Sequence, residues 1–89
     1  MKKYTYEPFG ICAYQIDITL DKDKLVEVIF HGGCPGNHLG INALCKGQKI
    51  DEIIKRLKGI KCGQRKTSCP DQLAIALELI KNCKIKEKK

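Results

Sequence analysis

Six cysteines spread along the chain are the residues best suited to chemistry: Cys12, Cys34, Cys45, Cys62, Cys69 and Cys83. Thiols bind metal ions, pair as disulfides or attack electrophiles. The N-terminal stretch Met-Lys-Lys-Tyr-Thr-Tyr-Glu-Pro lacks the apolar segment of a secretory signal, so a cytoplasmic protein is predicted. In a reducing compartment, metal binding or a reactive thiol is favoured over a disulfide scaffold.

Two of the cysteines stand directly before a proline, in the pairs Cys34-Pro35 and Cys69-Pro70. Proline is preferred at the first position of a helix. Both cysteines are therefore predicted to be N-cap residues, beside unpaired N–H groups and the positive end of the helix dipole. That setting favours the thiolate, which is the form that binds metal. Cys62 precedes Cys69 by a short loop, which is long enough to fold back to the same point.

Alternating apolar and polar residues predict three strands, over residues 4–6, 13–20 and 25–31. On the last strand, one face is expected to carry the apolar residues Val26, Val28 and Phe30. If the last two strands form a hairpin that turns at residues 21–24, opposed residue numbers add up to about 45. Cys12 then meets residue 33 at the open end, beside Cys34. Their two sulfurs are expected to lie within reach of one ion.

Three helices are expected to follow the strands, over residues 35–46, 51–58 and 70–82. Asp51 is the predicted cap of the second helix. Strands followed by helices predict an α+β fold, in which a small antiparallel sheet of about three strands carries three helices on one face. We expect a single domain over residues 1–89, with a basic tail that frays from about residue 84.

The net charge of +7 is divided unevenly along the chain. Residues 1–45 carry four Lys against five acids, whereas residues 46–89 carry thirteen Lys and Arg against five acids. An anionic partner is indicated: nucleic acid, phosphate or a negatively charged metal centre. Nucleic acid is the weaker alternative, because the aromatic residues lie in the acidic half. Binding by base stacking requires aromatic and basic side chains to be interleaved. No apolar run approaches the ~20 residues of a membrane span, so no membrane partner is expected.

Four of the thiols can converge, those of Cys12, Cys34, Cys62 and Cys69. Tetrahedral coordination by four sulfurs suits zinc, with iron or an iron–sulfur cluster as the alternative. Spacing alone also allows small buried core cysteines, because no Cys-x₂-Cys pair is present. Another alternative is thiol-redox chemistry, with Cys62 and Cys69 passing electrons to a reductase.

The remaining reactive side chains are predicted to have structural roles. Cys45 and Cys83 are expected to be core or surface thiols rather than ligands. His38 is expected to be exposed to solvent, and Asp71 to cap the last helix. No catalytic residue is predicted.

Three segments of the sequence each carry one of the four cysteines that can converge. They read Gly-Gly-Cys-Pro-Gly-Asn at 32–37, Leu-Lys-Gly-Ile-Lys-Cys-Gly at 57–63 and Thr-Ser-Cys-Pro-Asp at 67–71. Together they resemble the TSCPD domain family. The chain resembles the stand-alone, four-cysteine bacterial members, and also the C-terminal segment of adenosylcobalamin-dependent ribonucleotide reductases. The resemblance implies that the ligand set is Cys12, Cys34, Cys62 and Cys69, and that Cys45 and Cys83 lie outside it.

The order of elements is also similar, more weakly, to that of the iron–sulfur cluster assembly scaffolds. Their three cluster cysteines would fall on Cys12, Cys34 and Cys69. The chain departs from them at Tyr14, where they have Asp, and at Ser68, where they have His. Because it also adds Cys62, a closed four-sulfur site is favoured over a cluster-transfer site.

The sequence therefore predicts a small metal-binding accessory domain with a protein partner, a reductase or the iron–sulfur machinery. It has none of the reductase barrel, so it is not expected to be an enzyme on its own. The alternatives are a thiol-redox or iron–sulfur carrier and a basic nucleic-acid-binding module.

Overall fold

Three antiparallel strands precede three helices, in the order that the sequence predicts. The computed structural model describes residues 1–33, 35–61, 67–85 and 87, and for residues 35–37 it describes the backbone alone. The elements are β1 (Lys2–Tyr6), β2 (Gln15–Asp21), β3 (Lys24–His31), α1 (Pro35–Cys45), α2 (Ile50–Leu57) and α3 (Cys69–Lys81). The predicted α+β class is confirmed. Within the described part of the chain, no helix is long and apolar enough to cross a membrane.

The sheet has the strand order β1-β2-β3 and buries one face against the helices. Strict alternation along the central strand directs Ile16, Ile18 and Leu20 into the core. From the other side, α3 contributes the stripe that its helical periodicity predicts: Leu73, Ala76, Leu77 and Ile80, all buried. The core therefore lies between the sheet and α3.

A β-bulge in β3 changes the hairpin register from the predicted one. Leu20 pairs with Leu25, as predicted, but Thr19 pairs with Glu27. Val26 is the extra residue, and a bulge of this kind turns the following side chains over by one position. Nearer the open end of the hairpin, paired residue numbers therefore add up to 46 rather than 45.

The bulge also changes which residues of β3 face the core. Leu25 and Val28 are both buried, and Phe30 packs against the same cluster. Val26, which strict alternation puts on that face, is only half-buried. The prediction for Val26 is therefore wrong, because the extra residue interrupts the period of two.

The start of α2 is set by backbone pairing and not by the predicted Asp51 cap. The helix begins at Ile50, whose N–H donates to the carbonyl of Asp23 in the hairpin turn at 2.8 Å. Lys49 occupies the cap position without a side-chain hydrogen bond. Asp51 instead pairs with Lys81 of α3, with 2.6 Å between Oδ1 and Nζ.

The outer edge of β3 is covered by the chain around α1. The Asn42 side chain accepts from the Val28 N–H at 2.9 Å. The Leu25 N–H donates to the carbonyl of Gln48, and the Leu25 carbonyl accepts from Gly47. These bonds satisfy backbone groups that would otherwise attract another strand, and they hold α1 beside the end of β3.

A polar cluster on the outer face of the sheet is centred on Asp17. Its carboxylate accepts from Thr5 and Gln15 at 3.0 Å each and pairs with Nε2 of His31 at 2.8 Å. Partial burial raises the pKa of Asp17, but the hydrogen bonds with His31, Gln15 and Thr5 outweigh burial and hold the pKa below its usual value.

Because of the Asp17 cluster, we expect the free energy of unfolding to fall slightly in acid. A carboxyl with a lowered folded-state pKa stabilises the fold above its unfolded pKa of about 3.9, and the contribution is lost as the pH falls through the folded value. Asp17→Asn should therefore lower the free energy of unfolding at neutral pH by less than about 1 kcal/mol, because the pair is partly exposed. Urea titrations at several pH values check this. If the free energy of unfolding of Asp17→Asn fell as much as that of the wild type when the pH drops below about 3.9, the prediction would be contradicted.

Candidate functional site

The Thr-Ser-Cys-Pro-Asp-Gln segment forms the start of α3, with Ser68 and not Cys69 as the N-cap. The Ser68 hydroxyl accepts from the Asp71 N–H at 3.2 Å, while Cys69 is the first helical residue and Pro70 follows within the first turn. The N-cap prediction for Cys69 is wrong because serine oxygen is a better acceptor for the orphan N–H groups than sulfur. The thiol still lies in the first turn of the helix. The matching prediction for Cys34 falls outside the described residues.

Asp71 and Ser68 tie the turn after α2 to the start of α3. Asp71 is buried, and its carboxylate accepts from the Gly59 N–H at 2.7 Å and from the Thr67 hydroxyl in a short hydrogen bond. Ser68 donates to the carbonyl of Ile60 at 2.6 Å. The loop that connects the two helices is thus closed at its base. Asp71 acts as an acceptor for this loop, in addition to the favourable place of its charge near the helix N-terminus.

Gln72 connects the same helix to the N-terminal strand. It is fully buried, and its Oε1 accepts from the Tyr6 hydroxyl at 3.1 Å and from the Phe9 N–H at 3.2 Å. Its Nε2 donates to the Thr67 hydroxyl at 2.9 Å. Burial, and then the charge of Asp71, raises the pKa of Tyr6, so this hydroxyl stays protonated as a donor.

The polar side chains of Ser68, Asp71 and Gln72 therefore all have hydrogen-bond partners within the fold. Cys69 is half-buried, and its Sγ lies 3.4 Å from Nε2 of His38 in α1. At that separation the two groups are in hydrogen-bonding contact, since sulfur is larger than oxygen.

His38 is buried, with an exposed fraction of 7%, so the prediction of an exposed histidine is wrong. Its ring stacks on Phe30 with centroids 4.3 Å apart and an angle of 19° between the planes. Burial lowers the pKa of His38, and the ring is neutral at pH 7. A signal was present in the sequence, because His38, Ile41 and Cys45 are spaced as one buried helical stripe.

Gly33 brings the end of β3 against His38 and against the segment that follows Cys12. A Cβ on Gly33 would lie 2.8 Å from Cε1 of His38 and 3.4 Å from the Ala13 nitrogen. The residue also has φ of +80°, which only glycine adopts at low cost. Glycine at this position therefore permits a close approach of three segments.

Comparison with known proteins assigns the family. The profile of the TSCPD domain matches residues 2–81. The chain belongs to the TSCPD domain family. No curated protein and no solved structure matches it.

Two of the four cysteines that the TSCPD resemblance implies as ligands lie in the described part of the chain. Cys12 is exposed and follows the loop after β1, and Cys69 is half-buried at the start of α3. Cys34 and Cys62 lie outside the described residues. Among the residues that the structure describes, no three Cys, His, Asp or Glu side chains are grouped so that they could hold a metal ion. The four-cysteine site of this TSCPD chain stays a prediction.

The other two cysteines occupy different environments, as their positions in the sequence indicate. Cys45 is buried in the core at the end of α1, and burial raises the pKa of its thiol. Cys83 is exposed just after α3.

These environments predict unequal thiol reactivity. Iodoacetamide should modify Cys83 about 100-fold faster than Cys45 in the folded protein, because the thiolate is the nucleophile and must be accessible. Mass spectrometry of peptides after timed alkylation measures both rates. In urea the two rates should become similar, and equal rates in native buffer would contradict the burial of Cys45.

Proposed function

We propose that this TSCPD protein binds one metal ion, zinc in the first place, through Cys12, Cys34, Cys62 and Cys69. The domain then serves as a non-catalytic accessory module. The observation that carries the proposal is the position of His38, whose ring contacts the Cys69 sulfur and leaves no room for a side chain on Gly33, the residue just before Cys34. The start of α3 is remote in the sequence from the end of β3 and the start of α1, but the three therefore meet around His38.

Covalent geometry supports the participation of Cys12 and Cys34. A Cβ on Gly33 would lie 3.4 Å from the Ala13 nitrogen, so the two backbones run close together, and Cys34 and Cys12 are the chain neighbours of these residues. Cα atoms of neighbouring residues are about 3.8 Å apart. The contact brings the backbone just before Cys34 beside the backbone just after Cys12. The hairpin register, shifted by the bulge to 46, would if continued pair residue 12 with residue 34, which supports the proposal.

The closed base of the loop between α2 and α3 supports the participation of Cys62. The Ile60 carbonyl is bonded to Ser68, which directly precedes Cys69. Cys62 follows Ile60 by two residues, a chain length that reaches at most about 7 Å. The chain that leads to Cys62 is therefore held at the start of α3 as far as Ile60.

The donor set fits zinc, and the charge around it fits an anionic centre. Four thiolates fill a tetrahedral shell and leave no open position for a substrate, which is typical of a structural site. With zinc such a centre has a net charge of −2. Lys61 directly precedes Cys62 in the sequence, and Cys69 lies in the first turn of α3, at the positive end of the helix dipole; both features favour that charge. Iron is the alternative metal for the same ligands.

A protein partner is part of the proposal, and a reductase or the iron–sulfur machinery is the partner that the family resemblance implies. Several large apolar side chains close in the sequence to Cys12, His38 or Cys62 are exposed, which is typical of an interaction surface. They are Phe9, Tyr14, Leu39 and Ile60.

Metal content tests the proposal directly. Elemental analysis of protein reconstituted with zinc is expected to find one metal per chain, and the cobalt form should show the intense thiolate absorption of a tetrahedral site. Magnesium, which prefers oxygen ligands, serves as the control and should not bind. Visible absorption of the protein as purified would indicate iron. A protein that retains neither zinc nor iron after reconstitution under reducing conditions would contradict the proposal.

A further inference from the structure

We propose that His38 is a positioning residue of the metal site, which donates a hydrogen bond from Nε2–H to the Cys69 thiolate and is not itself a ligand. This inference rests on the proposed metal binding and adds one interaction to it. The motif residues that the family resemblance brings to the site do not include His38.

The orientation of the imidazole is fixed by packing on two sides. The ring lies flat on Phe30, and its Cε1 edge fits into the space that Gly33 leaves by having no Cβ. With both contacts in place, Nε2 is directed at the Cys69 sulfur at 3.4 Å. The direction of Nε2 therefore does not depend on a bound metal, because the contacts with Phe30 and Gly33 that fix the ring involve no cysteine.

The direction of the hydrogen bond follows from the chemistry of the partners. A metal-bound thiolate has no proton and can only accept. An imidazole that bonds to such a sulfur through Nε2 therefore has to carry a proton on Nε2 and donate it. Four thiolates already complete a tetrahedral shell around zinc, which leaves His38 outside the shell with its N–H on the sulfur.

The hydrogen bond has a function that the ligands cannot supply. Four thiolates around one zinc ion carry excess negative charge, and an N–H donor withdraws part of it from the sulfur that it contacts. Partners of this kind orient a ligand and typically change metal affinity about 10–100-fold. We therefore expect His38 to slow the release of metal from the Cys69 side of the site.

Nuclear magnetic resonance of the cadmium-113 form, with nitrogen-15 labelling, tests the assignment without a mutation. We expect a cadmium shift typical of four sulfurs and a small coupling between cadmium and the His38 Hε2 proton, transmitted through the hydrogen bond. A four-sulfur shift without that coupling would overturn this inference alone. A cadmium directly bonded to nitrogen would overturn it too, since His38 would then be a ligand. A protein that binds no cadmium would overturn the proposed function, and this inference with it.

His38→Phe supplies a second measurement, because it keeps an aromatic ring for the stack on Phe30 and removes only the donor. Zinc should be lost to a chelator about tenfold faster than from the wild type. His31→Phe is the matched control, since His31 lies on the outer face of the sheet and pairs with Asp17, and its zinc release should be unchanged. Equal rates for His38→Phe and wild type, with circular dichroism showing both folded, would overturn the inference.

Discussion

Cys69→Ser is expected to abolish stoichiometric zinc binding and to lower the free energy of unfolding by about 4 kcal/mol. Under the proposed function, Cys69 is the ligand on α3, the helix that covers the sheet. A serine hydroxyl is not ionised at neutral pH and is a poor zinc ligand. In a domain of 89 residues with a small core, metal binding and folding are coupled, so the loss extends beyond the site. Elemental analysis and urea unfolding measure the two effects.

Cys83→Ser is the matched control for that experiment. Cys83 is exposed after the end of α3, and it has a backbone φ of 58° that serine would share. Both metal content and stability should stay close to those of the wild type. A Cys69→Ser protein that still holds one zinc per chain would contradict the four-cysteine site, whatever its stability.

Gln72→Leu is expected to lower the free energy of unfolding by about 3 kcal/mol, although leucine has a similar volume. The substitution leaves the Phe9 N–H, the Tyr6 hydroxyl and the Thr67 hydroxyl without their buried partner. Each unsatisfied buried group costs about 1–3 kcal/mol, and partial relaxation toward solvent recovers some of the sum. Thermal or urea unfolding, followed by circular dichroism, gives the difference.

Gln15→Leu provides the comparison on the outer face of the sheet. The Gln15 side chain makes a single described hydrogen bond, to Asp17, and lies half-buried at the surface. A change of no more than about 0.5 kcal/mol is expected for such a position. If the two leucine variants lost equal stability, the special role of the buried amide at Gln72 would be refuted.

Periodicity in the sequence was sufficient to predict the fold class and most of the core. The alternation around Ile16 and Ile18 predicts the central strand, and the spacing of Leu73 and Leu77 predicts the buried face of α3. The bulge at Val26 was not predictable, because one extra residue in a short strand leaves the apolar pattern almost unchanged. Leu25, beside the bulge, is hydrogen-bonded to Gly47 and Gln48, and such contacts between distant segments are not visible in the local sequence.

The sequence at the start of α3 does contain a signal for the observed N-cap. Ser68 and Asp71 have the spacing of a serine cap followed three residues later by an acid, which outweighs the preference of proline for the first helical position. His38 was missed for a different reason. Its spacing with Ile41 and Cys45 does indicate a buried helical stripe. Its contacts with Phe30 and Gly33, however, join separate elements and are not visible in the local sequence.

The bond between Tyr6 and Gln72 joins residues that are 66 positions apart in the sequence. During synthesis on the ribosome, the first strand therefore emerges long before the helix that supplies its buried hydrogen-bond partner. Closing such a long loop costs chain entropy, and contacts between residues close in the sequence do not offset that cost. We expect the nascent chain to gain its native structure late and in one step, after the last helix has left the exit tunnel.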